Sequence, residues 1–177
     1  AEQLGDQAKM TLGYNNIGLI HAARGAYPEA LEWLQKGLAL AEQLGDQATM
    51  ALGYNNIGSI YYARGAYPEA LERFQKGLAL AEQLGDQAAM ATCYNNIGSI
   101  YYARGAYPEA LEWLRKGLAL AEQLGDQATM AGGYNNIGEV YYARGAYPEA
   151  LEWFQKGLAL AEQLGDQAKM TLGYNNI

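Results

Sequence analysis

Hydrophobic positions recur along this chain at helical spacing, about 100° per residue, rather than in the alternation of a strand. Between residues 47 and 64 one stripe holds Met50, Tyr54, Ile57 and Tyr61, with Gly58 beside it. The following stretch also has one apolar arc, made by Tyr67, Ala70, Leu71, Phe74, Gly77, Leu78 and Ala81. The charged residues of that stretch fall opposite the arc. The pattern therefore predicts two amphipathic helices in succession.

Local signals predict where these helices begin and end. Asp46 can cap the first helix by accepting from free amides of its first turn, and the helix should run to about Arg64. Gly65 can then adopt the left-handed conformation that ends helices. Pro68 suits the first turn of the second helix, which should end near Leu84. Because both connections are short, the two helices should pack antiparallel.

The pattern repeats with a period of 40 residues, marked by "AEQLGDQ" at positions 1, 41, 81, 121 and 161. Residues 161–177 are identical to residues 1–17. We expect one repeat domain over residues 1–177, with repeats 1–40, 41–80, 81–120 and 121–160 and a partial fifth repeat, 161–177. One helix pair cannot bury its apolar surface alone. Stacked pairs would form a continuous core, which predicts an all-α solenoid.

At these residues the chain resembles the tetratricopeptide repeat family. Tyr54, Ile57-Gly58, Tyr61, Ala70 and Phe74 occupy the family's signature places at matching spacing. The period of 40 is longer than the family's usual repeat and is more similar to that of kinesin light chains and Leu-Gly-Asn repeat adaptors. The resemblance implies a right-handed superhelix of antiparallel helix pairs, with the first helices lining a concave groove that binds peptides.

An Asn-Asn pair recurs in every first helix. Measured from Ile57, Asn55 lies about 160° and Asn56 about 260° around the helix, so both should point away from the apolar stripe. An Asn amide can both donate to and accept from an extended peptide backbone. The alternative is that one Asn of each pair bonds to the adjacent repeat. The family resemblance favours Asn56 for the peptide, whereas the angle places Asn55 nearer the groove centre.

The predicted peptide-binding groove combines these asparagines with neighbours on the same arc. Its residues are Asn15, Asn16, Asn55, Asn56, Ser59, Tyr62, Asn95, Asn96, Ser99, Tyr102, Asn135, Asn136, Glu139 and Tyr142. The tyrosines would supply flat apolar contacts, which are typical of binding surfaces. Leu52, Thr92 and Gly132 form a further variable set on this arc. We expect a peptide or a partner protein as the ligand.

The composition of the chain argues against several other classes of function. A net charge of −7 argues against a nucleic-acid partner or an anionic membrane surface. One histidine and one cysteine give no metal-ligand cluster, and no phosphate-binding loop is present. We therefore expect no enzyme, no cofactor and a cytoplasmic location. The competing hypothesis is a structural array that self-associates head to tail, because the first and last repeats carry complementary surfaces.

Overall fold

The computed structural model describes the backbone of residues 2–165 and the side chains of residues 7–165. Throughout this range helices alternate with short turns. In chain order they are α1 (Glu2–Ala23), α2 (Tyr27–Leu44), α3 (Gln47–Ala63), α4 (Tyr67–Leu84), α5 (Gln87–Ala103), α6 (Tyr107–Leu124), α7 (Gln127–Ala143) and α8 (Tyr147–Leu164). The predicted all-α fold built from helix pairs is confirmed. The partial fifth repeat lies almost wholly outside the described residues.

The helix ends follow the local signals. The Asp46 carboxylate accepts from the backbone N–H of Thr49 at 3.1 Å and from its hydroxyl at 2.6 Å. These bonds, the hydroxyl's above all, lower the pKa of Asp46. Gly65 and Gly85 adopt φ values of 74° and 67°, which L side chains rarely adopt. Pro68 lies in the first turn of α4. The predicted boundaries are therefore confirmed to within one residue.

The described chain divides into two compact units, with the boundary between Ala89 and Met90 in the first turn of α5. In the N-terminal unit α1 packs on α2, α2 on α3, and α3 on α4. In the C-terminal unit α6 packs on α7, and α7 on α8. Each unit thus contains contacts within a helix pair and contacts between successive pairs.

α3 and α7 each pack on the second helix before them and on the one after them. On α3 a glycine marks the close approach on each side. A Cβ built on Gly58 of α3 would lie 2.7 Å from Cε1 of Phe74 on α4. On the other side, a Cβ on Gly53 would lie 3.3 Å from Cδ1 of Leu38 on α2. Cys93, at the position equivalent to Gly53, is buried. Gly58 thus permits a close crossing of α3 and α4.

The core is wider than the single predicted stripe. Ile57 is buried as expected, but Ala51 and Ile60 are buried too. Ile60 joins Ile57 in a cluster with α2 residues, because α3 packs on the preceding second helix as well as on its own partner. On α4 the predicted arc is confirmed, with Ala70, Phe74, Gly77, Leu78 and Ala81 buried.

Candidate functional site

α3 retains one side between its contacts with α2 and α4. This side carries Leu52 and Ser59, each about 100–120° from Gly53 and from Gly58, and Asn56, which lies about 160° from Gly58 and about 60° from Gly53. We call this set, with its equivalents on the other first helices, the second-asparagine stripe. Its members are Leu12, Asn16 and Leu19 on α1, Leu52, Asn56 and Ser59 on α3, Thr92, Asn96 and Ser99 on α5, and Gly132, Asn136 and Glu139 on α7.

The N-terminal unit exposes apolar side chains along this stripe. Leu12, Leu19 and Leu52 have 56%, 45% and 47% of their surface exposed. Asn16 is exposed between the two leucines of α1, and Asn56 is half-buried on α3. α1 and α3 also contact each other. Each of these helices thus has exposed leucines near an asparagine amide, and exposed apolar side chains that cluster favour binding.

The first asparagine of each pair has a different environment. Asn15 is only 4% exposed. Its Oδ1 lies 3.4 Å from the Cβ position of Gly37 on α2. In the C-terminal unit the amide oxygens of Asn95 and Asn135 lie 2.8 and 2.7 Å from the Cβ positions of Gly117 and Gly157.

The expectation that both asparagines point away from the packed sides is therefore wrong for Asn15, and the amide oxygens of Asn95 and Asn135 are buried as well. A glycine on the partner helix leaves room for the amide against the backbone. These contacts of Asn15, Asn95 and Asn135 are with the second helix of the same pair. Asn55 is half-buried on the corresponding side of α3.

Among the described pairs, the two asparagines differ in burial class only on α1, where Asn16 is exposed and Asn15 is buried. Both members of the pairs on α3, α5 and α7 are half-buried. The Nδ2 atoms of Asn15 and Asn56 are buried and have no acceptor among the described residues. A buried amide donor without an acceptor is uncommon in folded proteins. The choice of Asn56 as the peptide contact stays a prediction, which the exposure of its equivalent Asn16 supports.

Serine hydroxyls in the stripe donate within their own helices. Ser59 Oγ donates to the carbonyl oxygen of Asn55 at 3.0 Å, and Ser99 Oγ to that of Asn95 at 2.9 Å. A ligand would therefore find these hydroxyls mainly as acceptors. Glu139 takes the same place on α7 and brings a carboxylate instead.

The predicted groove tyrosines lie beside the start of their own second helices. The ring centroids are 5.7 Å apart for Tyr62 and Tyr67, 6.1 Å for Tyr102 and Tyr107, and 5.5 Å for Tyr142 and Tyr147. Burial raises the pKa of Tyr62, so its hydroxyl stays neutral near pH 7. Tyr142 is the most accessible of the three, at 57%. These rings border the stripe rather than forming its centre.

The part of the chain that the structure describes contains neither a metal-binding cluster nor a membrane-spanning helix. Across residues 2–165, no three His, Cys, Asp or Glu side chains come together in a way that could hold a metal ion. In the same range, no helix is long and apolar enough to cross a membrane.

One contact between α6 and α7 had no counterpart in the sequence expectations. Arg115 Nη2 donates to the Tyr141 hydroxyl at 2.8 Å. The available signal was a difference between repeats, since the equivalent positions 35, 75 and 155 all hold Gln. A prediction based on the residues that the repeats share does not detect Arg115, because only one repeat has it.

Antiparallel helix pairs repeated every 40 residues define an α-helical repeat protein of the solenoid class. A family model described as "Tetratricopeptide repeat" matches residues 9–83 and 49–123, and a second model with the same description matches residues 131–164. The chain belongs to the tetratricopeptide repeat family. No curated protein sequence matches it.

Solved structures with the same fold have low sequence identity to the chain. Aspartyl phosphate phosphatase F from Bacillus subtilis matches with a TM-score of 0.88 and 15% identity, over 95% of this chain and 44% of that one. BtubC from P. vanneervenii matches with a TM-score of 0.79 and 18% identity, over 99% of this chain and 80% of that one. A Rap protein complexed with Competence and Sporulation Factor has a TM-score of 0.81 and 19% identity, over 90% of this chain and 45% of that one.

The chain spans less than half the length of aspartyl phosphate phosphatase F and of the Rap protein. At these identities the likeness shows the fold alone.

Proposed function

We propose that the chain is a non-catalytic scaffold that binds an extended peptide, or an extended segment of a partner protein, on its second-asparagine stripe. The observation that carries this proposal is the exposure of Leu12, Leu19 and Leu52 on the contacting helices α1 and α3, which also carry Asn16 and Asn56. Membership of the tetratricopeptide family supports it, and so does the similar Rap protein, whose structure is of a complex with a factor. We also propose a cytoplasmic location, with which one buried cysteine is compatible.

The stripe has two kinds of group for two kinds of contact. An asparagine amide can donate to a peptide carbonyl and accept from a peptide N–H, so it holds the backbone whatever the peptide's side chains are. The exposed leucines gain from covering apolar side chains of the ligand, at about 25 cal/mol per Å² removed from water.

The two units differ in what they offer beside the asparagines. In the N-terminal unit the neighbours are leucines and Ser59, whereas in the C-terminal unit they are Thr92, Ser99, Gly132 and Glu139. We therefore propose that the stripe of the N-terminal unit prefers apolar ligand residues. The stripe of the C-terminal unit, which carries the Glu139 carboxylate, prefers polar or basic ones.

Substitution of Leu52 by serine tests the apolar part of this surface. A random peptide array would first supply a binder, whose dissociation constant is then measured by fluorescence anisotropy. Leu52→Ser should weaken binding about tenfold, because it removes more than 1 kcal/mol of apolar contact. Leu84→Ser is the matched control, since Leu84 is 45% exposed but lies at the end of the second helix α4. Equal loss in both variants, or in neither, would contradict this site.

Self-association is the second candidate function, and the exposed side of α1 favours it. Ile20 is 59% exposed, whereas its equivalent on α3, Ile60, is 4% exposed because α2 covers it. α8 repeats the α2 sequence with few changes, and its Leu151 is 40% exposed where Leu31 of α2 is 8% exposed. The α8 of a second copy could therefore cover α1 as α2 covers α3. Such head-to-tail contacts extend into an array unless the rotation closes.

Light scattering over a dilution series tests this candidate. The mass of the 177-residue chain should rise with concentration, and Ile20→Glu should return it to the monomer value, because a buried unpaired carboxylate opposes the contact. A mass that stays monomeric at every concentration would exclude end-to-end assembly.

A further inference from the structure

A second surface of the chain has the chemistry of a binding site, and it lies away from the second-asparagine stripe. A cleft of about 750 Å³ opens to solvent between α6 and α7 in the C-terminal unit. Apolar atoms of Pro108, Leu111 and Ala119 line it together with the Tyr141 ring. Its charged lining residues are Arg115, Lys116, Arg144 and Glu112.

The cleft is positive in a chain that is otherwise acidic. Three cationic side chains and one carboxylate line it, whereas the whole chain has a net charge of −7. Lys116 is paired with the carboxylate, at 2.8 Å from Glu112, and also lies 4.5 Å above the ring of Trp113. The excess positive charge therefore belongs to Arg115 and Arg144.

The Tyr141 hydroxyl holds the Arg115 side chain in place. Its Nη2 donates to the Tyr141 hydroxyl across the α6–α7 contact. A guanidinium has five N–H donors in a planar fork, so this one bond orients the group and leaves further donors for a carboxylate. Holding an arginine in one orientation lowers the entropy cost of binding to it.

The positive charge of Arg115 occurs only in the third repeat. Arg115 corresponds to Gln35, Gln75 and Gln155, whereas Lys116 and Arg144 have counterparts in other repeats. In the N-terminal unit α2 and α3 pack together as α6 and α7 do, with Tyr61 and Arg64 in the places of Tyr141 and Arg144. Among the residues that line the cleft, Arg115 is the one that differs from its counterpart in the N-terminal unit, so the α2–α3 contact serves as an internal comparison.

We propose that the α6–α7 cleft docks an acidic segment of a partner protein. Carboxylates of that segment pair with Arg115 and Arg144, and a neighbouring apolar side chain covers Pro108 and Ala119. Charge complementarity selects this occupant, because an acidic segment is repelled by most of this chain's surface and attracted at this cleft. A nucleic acid has negative charge as well, but it needs a broad basic face, which the net charge of −7 argues against.

The test uses a fluorescein-labelled peptide of alternating glutamate and leucine as the probe, with the full chain at low salt. Arg115→Gln should weaken binding at least about fivefold, the loss expected for one charge-assisted contact. Gln is the residue that the other repeats carry at this position, so the variant should fold. Binding of a lysine–leucine peptide of the same length should not depend on Arg115, and added salt should weaken the wild-type glutamate–leucine complex.

Gln35→Arg provides the reciprocal experiment. It places an arginine opposite Tyr61 and Arg64 in the α2–α3 contact, and it should raise the number of bound glutamate–leucine peptides per chain from one to two. The triple variant Asn56→Ala, Asn96→Ala and Asn136→Ala should bind this peptide unchanged, which separates the cleft from the second-asparagine stripe. The proposal is overturned if wild type and Arg115→Gln bind the peptide equally or not at all. It is also overturned if a single-stranded oligonucleotide binds as tightly and shows the same dependence on Arg115.

Discussion

Replacing Gly138 with alanine should destabilise the chain, whereas replacing Gly132 in the same helix should stabilise it. A Cβ on Gly138 would lie 2.6 Å from Cε1 and 2.7 Å from Cδ1 of Phe154 on α8. Phe154 is only 2% exposed, so its ring has little room to move away. Overpacking of this kind costs about 1–3 kcal/mol. Gly132 has no atom within 4 Å of its Cβ position.

The two substitutions share the gain in helix propensity, about 1 kcal/mol for glycine to alanine in a helix interior. Their difference in unfolding free energy therefore reports the α7–α8 approach alone. Urea unfolding followed by circular dichroism measures both values. If Gly138→Ala is as stable as Gly132→Ala, the two helices do not approach as closely as the structure describes.

Helix boundaries could be predicted from the sequence because their causes are local. Asp46 caps α3 through a residue three positions away, and Gly65 and Gly85 end helices by their own backbone conformation. Pro68 fits the first turn of α4 for the same kind of reason. None of these features depends on which helix packs against which, so the prediction of helix pairs held within one residue.

The packed sides of the first helices could be predicted only in part. A single stripe was expected, but α3 packs on α2 as well as on α4, and Ile60 is buried for that reason. The burial of Asn15 depends on Gly37, which lies on the partner helix. Periodicity within one helix does not contain this information. The recurrence of a glycine in every second helix was the only sequence signal of it.

The Arg115–Tyr141 contact could not be predicted from periodicity within one helix either. Its two residues are 26 positions apart and lie on helices of successive repeats. A difference between repeats marks Arg115 as unusual, but only the packing of α6 on α7 brings it to the tyrosine and the cleft.

Peptide binding should be lost when the second asparagines are replaced together. The variant carries Asn56→Ala, Asn96→Ala and Asn136→Ala, and each change removes an amide that can bond a peptide backbone. A net loss of about 1 kcal/mol per hydrogen-bonding side chain gives roughly a hundredfold weaker complex for three. Folding should not suffer, because alanine is the better helix former and these side chains are half-exposed.

The matched control replaces the first asparagines, Asn55, Asn95 and Asn135, by alanine. It changes the same number of amides by the same chemistry one position earlier in each helix. The amide oxygens of Asn95 and Asn135 are buried against Gly117 and Gly157, so this variant should change stability and leave peptide affinity within about threefold of wild type. Thermal unfolding of both variants checks that each is folded before affinity is compared.

The decisive measurement is the dissociation constant of an array-selected peptide for wild type and the two triple variants, by fluorescence anisotropy. We predict a loss of roughly a hundredfold for the second-asparagine variant and nearly wild-type affinity for the first-asparagine variant. Wild-type affinity in a folded second-asparagine variant would contradict the account, since the peptide would then be held by some other surface.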